Sequence, residues 1–336
     1  MPVTEFKRIL VVGTGSIGER HARCFLATGR AQVSICEPLA ELRNAMTGRY
    51  ELAGDFADLD AALNQPHDAA VICTPANSHI PIAQRLAEAG LHLLIEKPLS
   101  TSLDGVEALE QEVERRGLVA AVAYVHRAHP ALAEMKAAID SGRFGEIVEI
   151  VAISGQHFPT FRPAYREIYY ARRASGGGAV QDALTHVVNA VEWLAGPIDS
   201  LTADCAHQVL DGVEVEDTVH MLARHGRALA SYALNQHQAP SEFTITAVCM
   251  RGTARYDLHR NLWRWMVEPH SQWVEHSAGH LERDAMFVRQ AESFLDAIEG
   301  RQAPLCTLRE GAQTLQTNLA VLLAAEEHRW VAVERA

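Results

Sequence analysis

Short, nearly continuous apolar runs punctuate the first 125 residues: Arg8–Val12, Gln32–Cys36, Ala69–Cys73, Leu91–Ile95 and Val119–Tyr124. Segments with helical spacing separate them, near 17–29, 39–48, 58–64, 78–90 and 102–116. Runs without alternation fit strands covered on both faces. Strand–helix alternation, joined by right-handed crossovers, predicts an α/β doubly wound parallel sheet.

After Tyr124 the rhythm changes. A helix is expected over 130–141, stopped at Gly142, then a long strand at Ile147–Phe158 and a helix over 178–195 ending at Gly196-Pro197. Strand-like runs follow at 200–210, 217–224, 227–236, 243–250, 253–258, 262–268 and 272–276, with connections short enough for antiparallel hairpins. Helices over about 282–299 and 308–328 close the chain, the first stopped by Gly300. The expected partition is residues 1–125, and then residues 126–336 as an α+β domain with a large, mainly antiparallel sheet.

One turn carries chemistry as well as shape. Gly13-Thr14-Gly15-Ser16-Ile17-Gly18 lies between the first strand and the first helix. Gly13 permits the tight turn, Gly15 lets backbone approach a pyrophosphate, and Gly18 lets helix and strand close up. The N–H groups of Ser16, Ile17 and Gly18 then face phosphate oxygens. Glu37 ends the second strand, where a carboxylate accepts hydrogen bonds from both ribose hydroxyls and repels a 2′-phosphate. The residues Pro38-Leu39-Ala40-Glu41 supply no cation. These features make residues 1–125 a Rossmann domain and favour NAD over NADP. Thr74 and Pro75 end the third strand at the ligand-binding edge. Asn77 reads as a cofactor contact or, like Ser78, as a helix cap. His79 reads equally as a cofactor contact and as packing at a helix start.

Glu96-Lys97-Pro98 ends an apolar strand at that same edge. A lysine beside a cationic nicotinamide suits proton transfer, and Pro98 sets the turn, with a cis bond allowed. Far downstream, Gly176-Gly177-Gly178 precedes Asp182 and His186, whose i, i+4 spacing puts both on one helix face. Histidine suits general-base work near neutrality, and Asp182 suits holding its ring or a substrate hydroxyl. The glycines are expected to admit substrate or cofactor closely. Arg162, Tyr165 and Arg166 lie in a donor-rich aromatic stretch and are candidate substrate contacts, with a subunit-interface loop as the other reading.

Composition narrows the partners. The 336 residues carry a formal net charge of -12, which disfavours nucleic acid or an anionic membrane as main partner. Six cysteines lack any Cys-x-x-Cys pair, and the histidines lack metal-site spacing, so no metal is expected. Unpaired cysteines in apolar contexts, with neither a leader-like start nor a membrane-length apolar run, fit a reduced cytoplasmic protein.

Together, Gly13–Gly18, Cys73-Thr74-Pro75, Glu96-Lys97-Pro98, Tyr124-Val125-His126-Arg127, Ser141–Gly145 and Gly176–Gly178 with Asp182 and His186 resemble the glucose–fructose oxidoreductase/inositol dehydrogenase (Gfo/Idh/MocA) superfamily along essentially the whole chain. The resemblance implies that Lys97, Asp182 and His186 match the family's catalytic lysine, aspartate and histidine. His186 then takes the proton of a sugar hydroxyl with Lys97 assisting, while hydride passes to nicotinamide. It also implies that residues 126–336 bind substrate and build a homodimer or homotetramer through the sheet, and it adds His126 to the candidate substrate contacts. The expected function is NAD-dependent oxidation or reduction at a hydroxyl carbon of a sugar, inositol or related polyol. Two other readings remain: transient oxidation serving hydration, epimerisation or glycoside cleavage, and a non-catalytic NAD or sugar sensor. Leu184 and Asn189 depart from the family pattern, which often has glycine and aspartate there.

Overall fold

The computed structural model describes residues 6–336, so residues 1–5 of the expected first domain lie outside the described residues. Contacts divide the chain into Met1–Ala128 with Glu282–Gly311, and His129–Leu281 with Ala312–Ala336.

In the first unit, β1 (Lys7–Val12), β2 (Ala31–Cys36), β3 (Gly54–Phe56), β4 (Ala69–Ile72), β5 (His92–Ile95) and β6 (Ala120–Val122) form a parallel sheet ordered β3-β2-β1-β4-β5-β6. The connecting helices are α1 (Ser16–Ala27), α2 (Ala40–Thr47), α3 (Leu59–Leu63), α4 (His79–Glu88) and α5 (Val106–Arg116). Register aligns Val12 with Cys36 and Ile72, and Ile72 with Ile95. The residues that follow these four ends, namely Gly13, Glu37, Cys73 and Glu96, therefore leave the sheet at one edge. Strand order reverses between β1 and β4, the position where open α/β sheets take ligands. β3 was not expected: its three residues form no apolar run and are only partly buried.

The second unit contains α6 (Pro130–Asp140), β7 (Ile147–His157), the one-turn α7 (Phe158–Phe161) and α8 (Thr185–Ala195). Then come β8 (Ser200–Ala206), β9 (Thr218–His225), β10 (Ala228–Asn235), β11 (His237–Cys249), β12 (Gly252–Asp257), β13 (Leu262–Met266) and β14 (Val274–Ser277). With β15 (Val331–Ala332) they make one sheet ordered β14-β13-β12-β11-β7-β10-β9-β8-β15. Only the β7–β10 pairing is parallel, because β7 is inserted between strands that arrive later. β9 alternates buried and exposed residues along its length, the signature of a sheet covered on one face.

The last two helices divide their allegiance. α9 (Ala285–Ile298) adds Ala291, Phe294 and Leu295 to the core formed by Ile9, Val11, Phe25 and Ile35. Asp284 accepts ion pairs from Arg20 at 3.4 Å and Arg23 at 2.8 Å, while Arg30 reaches Asp296 at 2.8 Å and Glu299 at 3.0 Å. The uninterrupted 126–336 domain expected from sequence is therefore interrupted by Glu282–Gly311, whose apolar face covers the nucleotide-fold core. α10 (Leu308–Glu327) instead ties to α8 through buried polar groups. Asn189 Nδ2 donates to Thr314 Oγ1 at 3.0 Å, Thr314 and Thr317 donate to the Glu192 carboxylate at 2.6 and 2.8 Å, and Asn318 Nδ2 donates to Thr185 Oγ1 at 2.8 Å.

Candidate active site

Gly13 has φ +86°, and a Cβ on Gly18 would lie 1.9 Å from the Gly13 carbonyl oxygen. Both positions therefore require glycine. A Cβ on Gly15 would meet nothing within 4 Å, and no side chain caps the N-terminus of α1. Exposed Ser16 and half-buried Ile17 begin this helix. An uncapped helix start under an open glycine face fits a phosphate group. Glu37 is 6% exposed; its carboxylate accepts Thr14 N at 2.9 Å, Thr14 Oγ1 at 3.3 Å and Leu39 N at 3.0 Å. A carboxylate has about four acceptor sites, so this one, fixed in place, retains capacity for ribose.

At the next strand ends, Thr74 is half-buried while Pro75 and Asn77 are exposed. Ser78 occupies the N-cap of α4, yet its hydroxyl donates to the Pro75 carbonyl at 2.7 Å and lies 2.8 Å from Thr74 Oγ1, from which it can accept. His79 is buried, with Nδ1 3.1 Å from the Pro98 carbonyl and Nε2 2.7 Å from the Thr74 carbonyl. It stands between two edge loops, its one N–H in the neutral ring donating to one of these carbonyls, and burial pushes its pKa down despite them. Glu96 is buried and accepts from Lys97 N at 3.1 Å, with His21 Nε2 at 2.7 Å. His21 lies on α1, so this helix and the Glu96-Lys97 loop share one hydrogen bond. The Lys97–Pro98 peptide is cis, and Lys97 is half-buried.

In the second unit, Asp182 sits in a π-helical turn, Val180–Leu184, that leads directly into α8 and His186. Both side chains are half-buried. Single π turns recur at functional sites, and nothing in the residue pattern distinguishes this one from an α turn. Tyr169 Oη donates to Asp182 Oδ1 at 2.6 Å. The buried Glu216 carboxylate accepts Val180 N at 3.1 Å and Arg173 at 3.0 Å, and so holds the start of the turn.

Two family models match successive stretches of the chain. Residues 7–124 match the Gfo/Idh/MocA oxidoreductase model with its NAD-binding Rossmann fold, and residues 132–255 match the Gfo/Idh/MocA C-terminal domain. The chain belongs to the Gfo/Idh/MocA family. Inositol 2-dehydrogenase of Rhizobium meliloti is 30% identical over 203 residues, which is 59% of this chain and 58% of that protein. Inositol 2-dehydrogenase of Corynebacterium glutamicum is 27% identical over 311 residues, covering 87% of this chain and 85% of its own. The chain spans a little over half the length of the curated relatives it matches first. The solved structure of a levoglucosan dehydrogenase with NADH superposes with TM-score 0.90 over 99% of this chain and 100% of its own, at 20% identity, a likeness of fold.

Against the Gfo/Idh/MocA pattern, Leu184 is fully buried in the second core and Asn189 is spent on Thr314. Tyr165 departs from its expected role as well: it is buried against Phe158 and Tyr170, and its hydroxyl donates to the Asp211 carbonyl at 2.8 Å. Arg166 donates to that carbonyl at 2.7 Å and lies over the Tyr165 ring. Arg162 is exposed and His126 half-buried. Arg43 was missed. It donates to the Glu37 carbonyl at 2.7 Å, and its guanidinium lies 3.5 Å from Asp55. Only the phase of α2 brings it back to the end of β2, six positions after Glu37.

Proposed function

We propose that the protein is an NAD-dependent oxidoreductase that moves a hydride between nicotinamide and a hydroxyl-bearing carbon of a sugar, inositol or related polyol. The observation that carries this reading is the uncapped, glycine-faced start of α1 beside the fixed Glu37 carboxylate. Membership of the family, whose models run through both halves of the chain, supports it. Bound NAD supplies the hydride acceptor. The chain supplies the rest. Glu37 binds the ribose hydroxyls and disfavours a 2′-phosphate. Thr74, Pro75, Asn77 and Glu96 shape the cofactor edge, with His79 locking its loops. His186 takes the hydroxyl proton as the carbinol C–H bond gives up its hydride, leaving a carbonyl; Lys97 assists that proton transfer, and Asp182 orients the reacting groups. His126 and Arg162 are the remaining candidate substrate contacts.

Relatives named as dehydrogenases of inositol and levoglucosan support a cyclic polyol or sugar as substrate. No helix among the described residues is long and apolar enough to cross a membrane. Leu222 and Leu229, about half exposed on neighbouring strands β9 and β10, support a homo-oligomer built on the open sheet face. The test is absorbance of NADH as protein and NAD meet inositols, aldoses, amino sugars and sugar acids, with products identified by mass spectrometry. NADH growth with one substrate is expected. Product without NADH growth replaces net oxidation by transient oxidation.

A further inference from the structure

The glycine run before the Asp182 turn meets protein rather than open space. A Cβ on Gly177 would lie 2.2 Å from the Tyr170 carbonyl oxygen and 2.6 Å from that of Tyr169, and one on Gly178 would lie 2.4 Å from Glu216 Oε1. Gly178 N donates to the Tyr170 carbonyl at 3.2 Å, Gly177 N to that of Arg172 at 3.0 Å, and the Ser175 hydroxyl to that of Tyr169 at 2.9 Å. The Tyr169–Ala171 turn is thereby fastened to the start of the helical segment that carries Asp182 and His186. A larger residue at 177 would drive the two apart, and one at 178 would displace the Glu216 carboxylate.

The two tyrosines of this turn divide the work. Tyr170 is fully buried, its ring 4.4 Å from that of Phe158, and its hydroxyl bonds Gln236. It anchors the turn in the aromatic cluster. Tyr169 is 42% exposed and sends its hydroxyl to Asp182 Oδ1 at 2.6 Å. That distance is in the range of O–H donation to an ionised carboxylate, about twice as strong as a neutral bond.

We propose that Tyr169 is a positioning residue for Asp182, and that the glycine run exists to bring it there. Its hydroxyl occupies one carboxylate oxygen and fixes the plane of the group, so that Asp182 meets a substrate hydroxyl in a set orientation. This rests on the reading of Asp182 as a site carboxylate in polyol oxidation.

The test is Tyr169→Phe made in the wild-type chain and in Asp182→Asn. Phenylalanine keeps the ring and removes only the donor. In the wild-type background kcat/KM falls about tenfold, carried mainly by kcat. In the Asp182→Asn background the same change costs less than about twofold, because the charged acceptor is already gone. Equal losses in both backgrounds, or no loss in either, overturn the proposal. A second readout needs no turnover. With 13C-labelled aspartate, the Asp182 carboxyl resonance, assigned by its loss in Asp182→Asn, shifts in Tyr169→Phe. An unmoved resonance overturns the proposal. Failure of the wild-type chain to oxidise any polyol would instead count against the functional reading, with the resonance still deciding the Tyr169–Asp182 pair.

Discussion

Glu37 does two jobs with one carboxylate. It holds the Gly13–Gly18 turn through Thr14, and in the proposed reading it also binds the ribose hydroxyls. Arg43 lies beside it, held by the Glu37 carbonyl. Glu37→Ala should therefore weaken NAD binding and raise relative affinity for NADP, since the Glu37 carboxylate no longer repels a 2′-phosphate and the nearby guanidinium, shared with Asp55, can attract it. Calorimetric titration of both cofactors checks this; unchanged selectivity contradicts the ribose assignment. Lys97→Ala or His186→Ala should each lower turnover by about 10²–10⁴ with the circular dichroism spectrum preserved. Near-normal turnover in both removes them from the proton-transfer role. Positions tied to a local motif, such as the glycines at 13 and 18, were legible in sequence because strand, turn and helix are contiguous there. The Gly176–Gly178 run was misread for a physical reason. Glycine reports that something comes close but not what, and here Tyr169, Tyr170 and Glu216 fill the space.

Among the elements, helical and strand periodicities located nearly every segment, since each buries a face. They missed β3 and the two-residue β15, too short to show a pattern, the one-turn α7, and the π turn at Val180–Leu184, which differs from an α turn only in hydrogen-bond pattern. Buried histidines add a pH dependence at this scale. His79 joins the β4 and β5 end loops, while His225 at the end of β9 bonds the Gly196 carbonyl and Tyr232 Oη, both at 2.7 Å. Burial holds both below the ordinary value of 6.5, against their hydrogen bonds to backbone carbonyls. Each folded pKa lies below the unfolded one, so the unfolded chain takes up protons that the native chain refuses. Their contribution is complete above 6.5 and is lost as pH falls from 6.5 towards the folded values. The urea midpoint should drop between about pH 7.5 and about pH 5.5, and His225→Gln should shrink that drop. An unchanged drop would place the dependence elsewhere.

At the scale of the whole molecule, chain order and core membership part company. α9 follows eight of the nine strands of the large sheet in sequence, yet Phe294 and Leu295 complete the core under β1 and β2. Its apolar face was legible; which core it covers was not, because an amphipathic stripe specifies burial without naming a partner. Phe294→Ala, 2% exposed in the native chain, should lower stability by about 3–5 kcal/mol. Denaturant titration with NAD present and absent checks this, and a loss below about 1 kcal/mol would deny α9 its place in that core. The central claim is hydride transfer from a carbinol carbon. Its most direct test uses the polyol found to be turned over, deuterated at every carbon-bound hydrogen, with unlabelled NAD. Mass spectrometry of the recovered NADH should show one added mass unit, the deuterium delivered to nicotinamide. Unlabelled NADH, or labelled substrate converted with no NADH formed, would contradict the account.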